Sequence, residues 1–138
     1  SNNYYIIDFS MSILSKNVKN ILATVGKDRI VDVTPVPKSM GSIFVGDLLI
    51  FTYRPDNRKK YYMGQKLAVV VKPVIRDGRS GNLLLTVAKV ALTGSLSPAT
   101  LEDLYKDVAN TKTDSYRTYI LSKVLGNIYK VDTRDREE

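Results

Sequence analysis

Two stretches of the chain have residue types at spacings known from phosphate and metal chemistry. The first contains Gly41 and Gly46, which have the spacing of the two glycines in a phosphate-binding P-loop. A P-loop requires Lys followed by Ser or Thr directly after the second glycine, whereas this chain has Asp47 and Leu48. Because an aspartate at that point repels phosphate, the sequence predicts no nucleotide-binding loop.

The second stretch combines Asp56, which follows a proline, with Asp77 and Arg79. Metal-dependent nucleases need two carboxylates around the ion and a lysine that stabilises the developing charge. Here an arginine stands where the lysine is required, and both aspartates lie in predicted turns, where Asp is common. We therefore expect no metal site and no catalytic role for these residues.

The composition excludes further classes of catalytic and metal site. The chain has 138 residues, with no His and no Cys. It therefore cannot form a Ser-His-Asp or Cys-His nucleophile pair, a zinc finger or a disulfide framework. We expect a protein that is not an enzyme, has no catalytic residues and binds no cofactor.

The positive charge is concentrated in one part of the chain. Nine basic and two acidic residues lie between positions 54 and 89, which accounts for the whole net charge of +7. Tyrosines flank the first basic segment, and basic groups among aromatic side chains bind phosphates and stack on bases. The candidate anion- or partner-binding residues are Tyr53, Arg54, Arg58, Lys59, Lys60, Tyr61, Tyr62, Lys66, Arg76 and Arg79.

If the strands alternate between inward and outward residues, loops 54–60 and 76–79 project as two basic segments, and one hypothesis is that they meet an anionic partner, either DNA or RNA. Two alternatives remain open. In one, these charges keep solvated loops soluble and protect a sheet edge from aggregation. In the other, they bind the acidic face of another protein.

The hydrophobic pattern predicts a single α+β domain over residues 1–138, with antiparallel strands in the middle and helices at both ends. An apolar stripe from Leu14 to Val25 predicts a helix over 12–26. The β-rich basic core spans 29–92. Its predicted strands are 29–33, ended by two prolines, then 43–53, and a hairpin of 67–75 with 83–92.

The C-terminal part, 97–131, is predicted to be helical with a closing strand. Ser97 and Pro98 predict the start of one helix, and Asp114 predicts the start of a second that Gly126 ends. A strand over 128–131 then closes the domain, and residues 132–138 form a charged tail. The alternative is a hairpin of 119–125 with 128–131.

The N-terminal arm, 1–11, is predicted to contact other subunits. Its residues are too hydrophobic to remain in water and are expected to add to a sheet of this chain or of a neighbour. The candidate contact residues are Tyr4, Tyr5, Ile6, Ile7 and Phe9. The longest apolar runs have about five residues, far fewer than the ~20 of a membrane-spanning helix, so we expect no membrane partner. No signal peptide is visible.

Two resemblances add to these predictions. Gly46-Asp47 at a hydrophobic strand, followed by a polar loop and a second strand from Gly64, resembles the start of SH3-like small barrels. The series Phe51-Thr52-Tyr53-Arg54-Pro55, then Tyr61-Tyr62, then a Val-rich strand, with Tyr116-Arg117 later, is similar to small proteins of T-even-like tailed phages. In those, acidic and proline residues follow the tyrosine pair, where this chain has Met63-Gly64-Gln65.

The phage resemblance implies a structural or assembly protein, of the tail or neck for example. Such a protein acts through contacts with other subunits, in a homo- or hetero-oligomeric assembly, and carries no catalytic residues. Its location is the virion, or the host cytoplasm before assembly. The nine tyrosines agree with this expectation, since tyrosine is enriched at protein interfaces. The alternative function is nucleic-acid binding through the two basic loops.

Overall fold

The computed structural model describes residues 14–25, 29–53, 64–90, 101–110 and 112–135. Two α-helices, two 3-10 helices and seven strands form the described part of the chain. The α-helices are α1 (Lys16–Val25) and α2 (Leu101–Ala109), and the 3-10 helices are Thr113–Ser115 and Leu121–Lys123. The strands are β1 (Arg29–Val36), β2 (Leu48–Tyr53), β3 (Gln65–Val70), β4 (Ile75–Arg76), β5 (Leu83–Lys89), β6 (Arg117–Ile120) and β7 (Val124–Asp135).

The described strands form one antiparallel sheet in which the last strand, β7, lies between the first two, β1 and β2. The order is β1-β7-β2-β3-β5-β4, and β6 pairs with β5. Val131 of β7 lies opposite Val33 of β1 on one side and Leu48 of β2 on the other. Because the partners of β7 in β1 and β2 lie 71 to 106 residues earlier in the chain, β7 joins distant parts of the sequence within one sheet.

Each face of the sheet carries its own hydrophobic core, because successive side chains of a strand point to opposite faces. The first core contains the buried residues of both helices, such as Ile21 and Leu104, packed on strand residues such as Ile50 and Leu67. The second core contains Phe51, Leu85 and the 3-10 residue Leu121. In β2, therefore, Leu48 and Ile50 serve one core while Leu49 and Phe51 serve the other, which explains its uninterrupted apolar sequence.

The predicted α+β class, a small SH3-like antiparallel barrel or sheet with an N-terminal helix and one or two C-terminal helices, is wrong, because the described chain is mostly one antiparallel sheet of seven strands. The C-terminal helix predicted over 114–126 is replaced by β6, a 3-10 helix and the start of β7. The apolar residues there fit a helical period, but Thr118, Tyr119 and Ile120 favour a strand, and the edge of β5 supplies a pairing partner. The alternative hairpin also fails, because Gly126 lies within β7 at a register shift.

Several element limits also differ from those predicted. β1 continues through Pro35 to Val36, which an edge strand tolerates because the missing N–H can face away from its partner. The predicted strand over 43–53 begins only at Leu48, after a turn. β7 runs to Asp135, so the predicted tail belongs largely to the sheet. The N-terminal arm and the Ser97-Pro98 start of α2 lie outside the described residues.

Gly46 closes the turn that precedes β2, and its backbone conformation disfavours any other residue. Its φ is 93°, and its N–H donates to the Val70 carbonyl at 2.8 Å. We expect Gly46→Ala to lower the free energy of unfolding by about 1–2 kcal/mol, the cost of a left-handed L-residue. Urea unfolding measures this change.

The control is Gly78→Ala. A Cβ meets no atom within 4 Å at either glycine, and Gly78 has no positive φ. The control should leave stability unchanged or slightly higher. Equal losses in both variants would contradict a conformational origin.

Candidate functional site

Of the two predicted basic loops, 76–79 is described, whereas 54–60 lies outside the described residues. The strand ends that flank 54–60 are paired, since Thr52 of β2 lies opposite Gln65 of β3. The tip of the β4–β5 hairpin, with Arg76 and Arg79, precedes Leu83. Lys89 is six residues further along β5, which corresponds to ~20 Å in a strand. The hairpin tip and Lys89 therefore lie at opposite ends of β5.

At the end near Tyr53, three basic side chains line up across three neighbouring strands. We call Lys66 of β3, Lys89 of β5 and Arg117 of β6 the cationic row. Val87 of β5 pairs with Val70 of β3 on one side and with Arg117 on the other, so β5 is the middle strand. Lys89 lies opposite Ala68, which is two residues beyond Lys66. Such diagonal neighbours are about 7–8 Å apart.

The row lies on the face of the second core, at the point where that core reaches the end of the sheet. Ala68, Val87 and Tyr119 belong to this core, and each is two residues from a member of the row. Lys66 is half-buried, whereas Lys89 and Arg117 are exposed. The Arg117 guanidinium donates to the Tyr116 carbonyl at 3.1 Å, which holds it at the edge of the sheet.

Tyrosines border the row. Tyr119 packs edge-on against Phe51, with ring centroids 5.1 Å apart, and against Tyr53 at 4.8 Å. Burial raises the pKa of Tyr119, while the positive charge of Arg117 opposes this rise. Tyr53 is half-buried and is the outermost ring of the three, since β2 ends there.

The charges of the row influence one another. Burial lowers the pKa of Lys66, and the positive charge of Lys89 lowers it further. Lys66 also donates to the Gly64 carbonyl at 3.4 Å. A lowered pKa means that the site disfavours the protonated form of Lys66, as expected where like charges are held close together. An anion placed among these groups would relieve this cost.

The hairpin tip, in contrast, is organised by its own hydrogen bonds. The Ser80 hydroxyl donates to the Asp77 carboxylate at 2.6 Å, and Arg76 donates to the Gly81 carbonyl at 2.6 Å. The Ser80 hydroxyl and backbone N–H lower the pKa of Asp77. This carboxylate therefore stabilises a turn, in agreement with the role that the sequence predicts for it. Arg79 is exposed.

The remaining predicted residues lie outside the described ranges. These are Arg54, Arg58, Lys59, Lys60, Tyr61 and Tyr62 of the first basic segment, and Tyr4, Tyr5, Ile6, Ile7 and Phe9 of the arm. Of the predicted set, the structure places Tyr53 and Lys66 together. It adds Lys89, Arg117 and Tyr119, which the sequence prediction omitted. Alternation along the predicted strand could have identified Lys89, since it places this residue on the same face as Leu85 and Val87. Arg117 could not be found in this way, because the sequence predicts a helix there.

Within the described ranges, no group of three or more Asp or Glu residues is placed to hold a metal ion. None of the helices described is long and apolar enough to cross a membrane. No protein family model, curated protein or solved structure matches the chain.

The close approach of Lys66 and Lys89 can be tested by titration. We expect Lys89→Gln to raise the pKa of Lys66 towards its ordinary value, because one of the two causes that lower it is removed. NMR titration of the lysine side-chain resonances measures this value.

The matched control is Lys72→Gln. Lys72 is an exposed lysine beyond the other end of β3, and its removal should leave the Lys66 titration unchanged. An unchanged pKa in Lys89→Gln as well would contradict the proximity of the two ammonium groups.

Proposed function

We propose that the turn between β1 and β2 is a surface for contacts with other proteins, because it exposes large apolar side chains. We call residues 40–45 the apolar turn. Met40 is 49% exposed, and Phe44 and Val45 are each 55% exposed, whereas Ile43 between them is 2% exposed and anchors the turn in the second core. Single exposed apolar residues are common on protein surfaces, but three within six residues indicate a contact surface.

Hydrogen bonds and an ion pair hold the apolar turn in place. The Phe44 N–H donates to the Asp47 carboxylate at 2.7 Å, and the Asp47 N–H donates to the Phe44 carbonyl at 3.0 Å. Lys130 of β7 forms a 3.0 Å ion pair with Asp47 and lies 5.5 Å from the centre of the Phe44 ring. The backbone of the turn therefore loses little conformational freedom when a partner covers it.

We propose that the protein is a non-enzymatic structural or assembly protein whose copies associate through the apolar turn. The ordered exposure of Phe44 and Val45 is the observation that supports this proposal. The resemblance of the 51–71 and 116–117 segments to small proteins of T-even-like tailed phages supports assignment to a phage particle. The protein would then act in the virion, or in the host cytoplasm before assembly.

Association of copies is the test of this function. We expect the protein to associate reversibly between about 1 μM and about 1 mM, and the double substitution Phe44→Ser with Val45→Ser to weaken association about tenfold or more. Sedimentation equilibrium measures both constants. Circular dichroism checks that the variant remains folded.

The control is Ile75→Ser. Ile75 lies in β4 and has the same 55% exposed fraction as Phe44, so the substitution removes similar apolar surface elsewhere. It should leave association unchanged. A protein that stays monomeric throughout the concentration range, or an equal loss in the control, would refute the proposed contact.

A further inference from the structure

Ion pairs between opposite charges join β1, β7 and the turn before β2 at one side of the sheet. Three ion pairs join residues of β1, β7 and the start of β2, namely Arg29–Asp135, Arg134–Asp32 and Lys130–Asp47. Lys89 and Arg117, by contrast, form no ion pair within the described part of the chain. Exposed cations in neighbouring strands repel one another, so their alignment across the sheet costs stability that a bound anion would recover.

The row has the donor chemistry that a chain of phosphates requires. Arginine presents a planar group with five N–H donors, and lysine offers a charged ammonium on a flexible stem. The two backbone carbonyls near Arg117, those of Asp114 and Tyr116, lie 3.4 and 3.1 Å from the same guanidinium nitrogen, which leaves its other donors available. The three residues are diagonal neighbours with backbone spacings of about 7–8 Å, so the row is extended across three strands and matches an extended polyanion better than one compact anion.

Tyr53 adds an aromatic surface beside the row. Its ring is braced edge-on by Tyr119, at a centroid distance of 4.8 Å, and remains half-exposed. Aromatic rings next to a basic groove commonly contact the sugars or bases of nucleic acids. The combination favours a nucleic acid over an acidic peptide, which has no bases to stack.

We propose that Lys66, Lys89 and Arg117, bordered by Tyr53, bind the phosphate backbone of a nucleic acid without sequence specificity. This activity is separate from the assembly function, because the apolar turn precedes β2 and Tyr53 ends it, so the two surfaces lie at opposite ends of this strand. The proposal depends on described residues alone.

Fluorescence anisotropy with a labelled single-stranded oligonucleotide and its duplex tests the proposal. Three phosphate contacts predict that log K falls with log salt at a slope of about −2.7 for the duplex and about −2.1 for the single strand. The double variant Lys89→Gln with Arg117→Gln should weaken binding about tenfold or more at ~50 mM salt and reduce the slope by about 2. Lys89→Gln alone provides the test if the double variant is unfolded.

The control removes two charges elsewhere. Lys72→Gln with Lys106→Gln changes exposed lysines beyond β3 and on α2, and should leave both affinity and slope nearly unchanged. Arg79→Gln tests the hairpin tip separately. If either control weakens oligonucleotide binding as much as the double variant does, the attraction comes from the whole basic surface and the proposed site is wrong.

Two further outcomes would overturn the proposal. One is the absence of binding to either oligonucleotide at ~50 mM salt. The other is displacement of the oligonucleotide by polyglutamate at equal charge concentration, which would identify an acidic protein surface as the partner. Because Phe44→Ser with Val45→Ser leaves the row intact, that variant should retain nucleic-acid binding even if association is lost.

Discussion

The position of β7 between β1 and β2 is the constraint on which the rest of the structure depends. Without β7, β1 has no partner in the described sheet, and α1 loses part of the surface against which it packs. β7 also carries Ile128 into the second core and Val131 into the first. Both cores are therefore completed only when the C-terminal strand inserts. Contacts between residues this far apart along the chain require closure of a long loop, which makes such topologies slow to fold.

The same strand fixes the apolar turn. Lys130 lies opposite Leu49 of β2 and reaches Asp47, where both side chains are 19% exposed. An ion pair shielded to this degree is stronger than one in open water, and it acts together with the hydrogen bonds that Asp47 makes to Phe44. The conformation of the exposed turn is thus coupled to the central pairing of the sheet. A partner that binds Phe44 meets a surface whose order is supplied by the fold.

Sequence reasoning succeeds where one segment determines its own structure. The stripe from Leu14 to Leu22 specifies which face of α1 is buried, and the turn residues around Asp77 specify the hairpin between β4 and β5. It fails for residues 117–126, since their apolar spacing fits a helix as well as a strand and the free edge of β5 decides between them. The sequence does not predict the cationic row either, because pairing between distant segments also decides which residues form it. Three residues from separate strands become neighbours through register, which the order of residues along the chain does not reveal.

Some basic side chains are paired with carboxylates and others are not, which explains why the net charge alone does not locate an anion-binding site. Arg29, Lys130 and Arg134 are as basic as the members of the row, but each lies within 4 Å of a carboxylate in the sheet, so their fields are largely cancelled nearby. Lys89 and Arg117 have no such partner among the described residues, and the pKa of Lys66 is lowered by burial and further by the positive charge of Lys89. Because this potential lies at one end of β2 and the apolar turn at the other, a subunit held through Phe44 would leave the row open to a polyanion. Assembly and anion binding can therefore coexist in one chain without competing for the same surface.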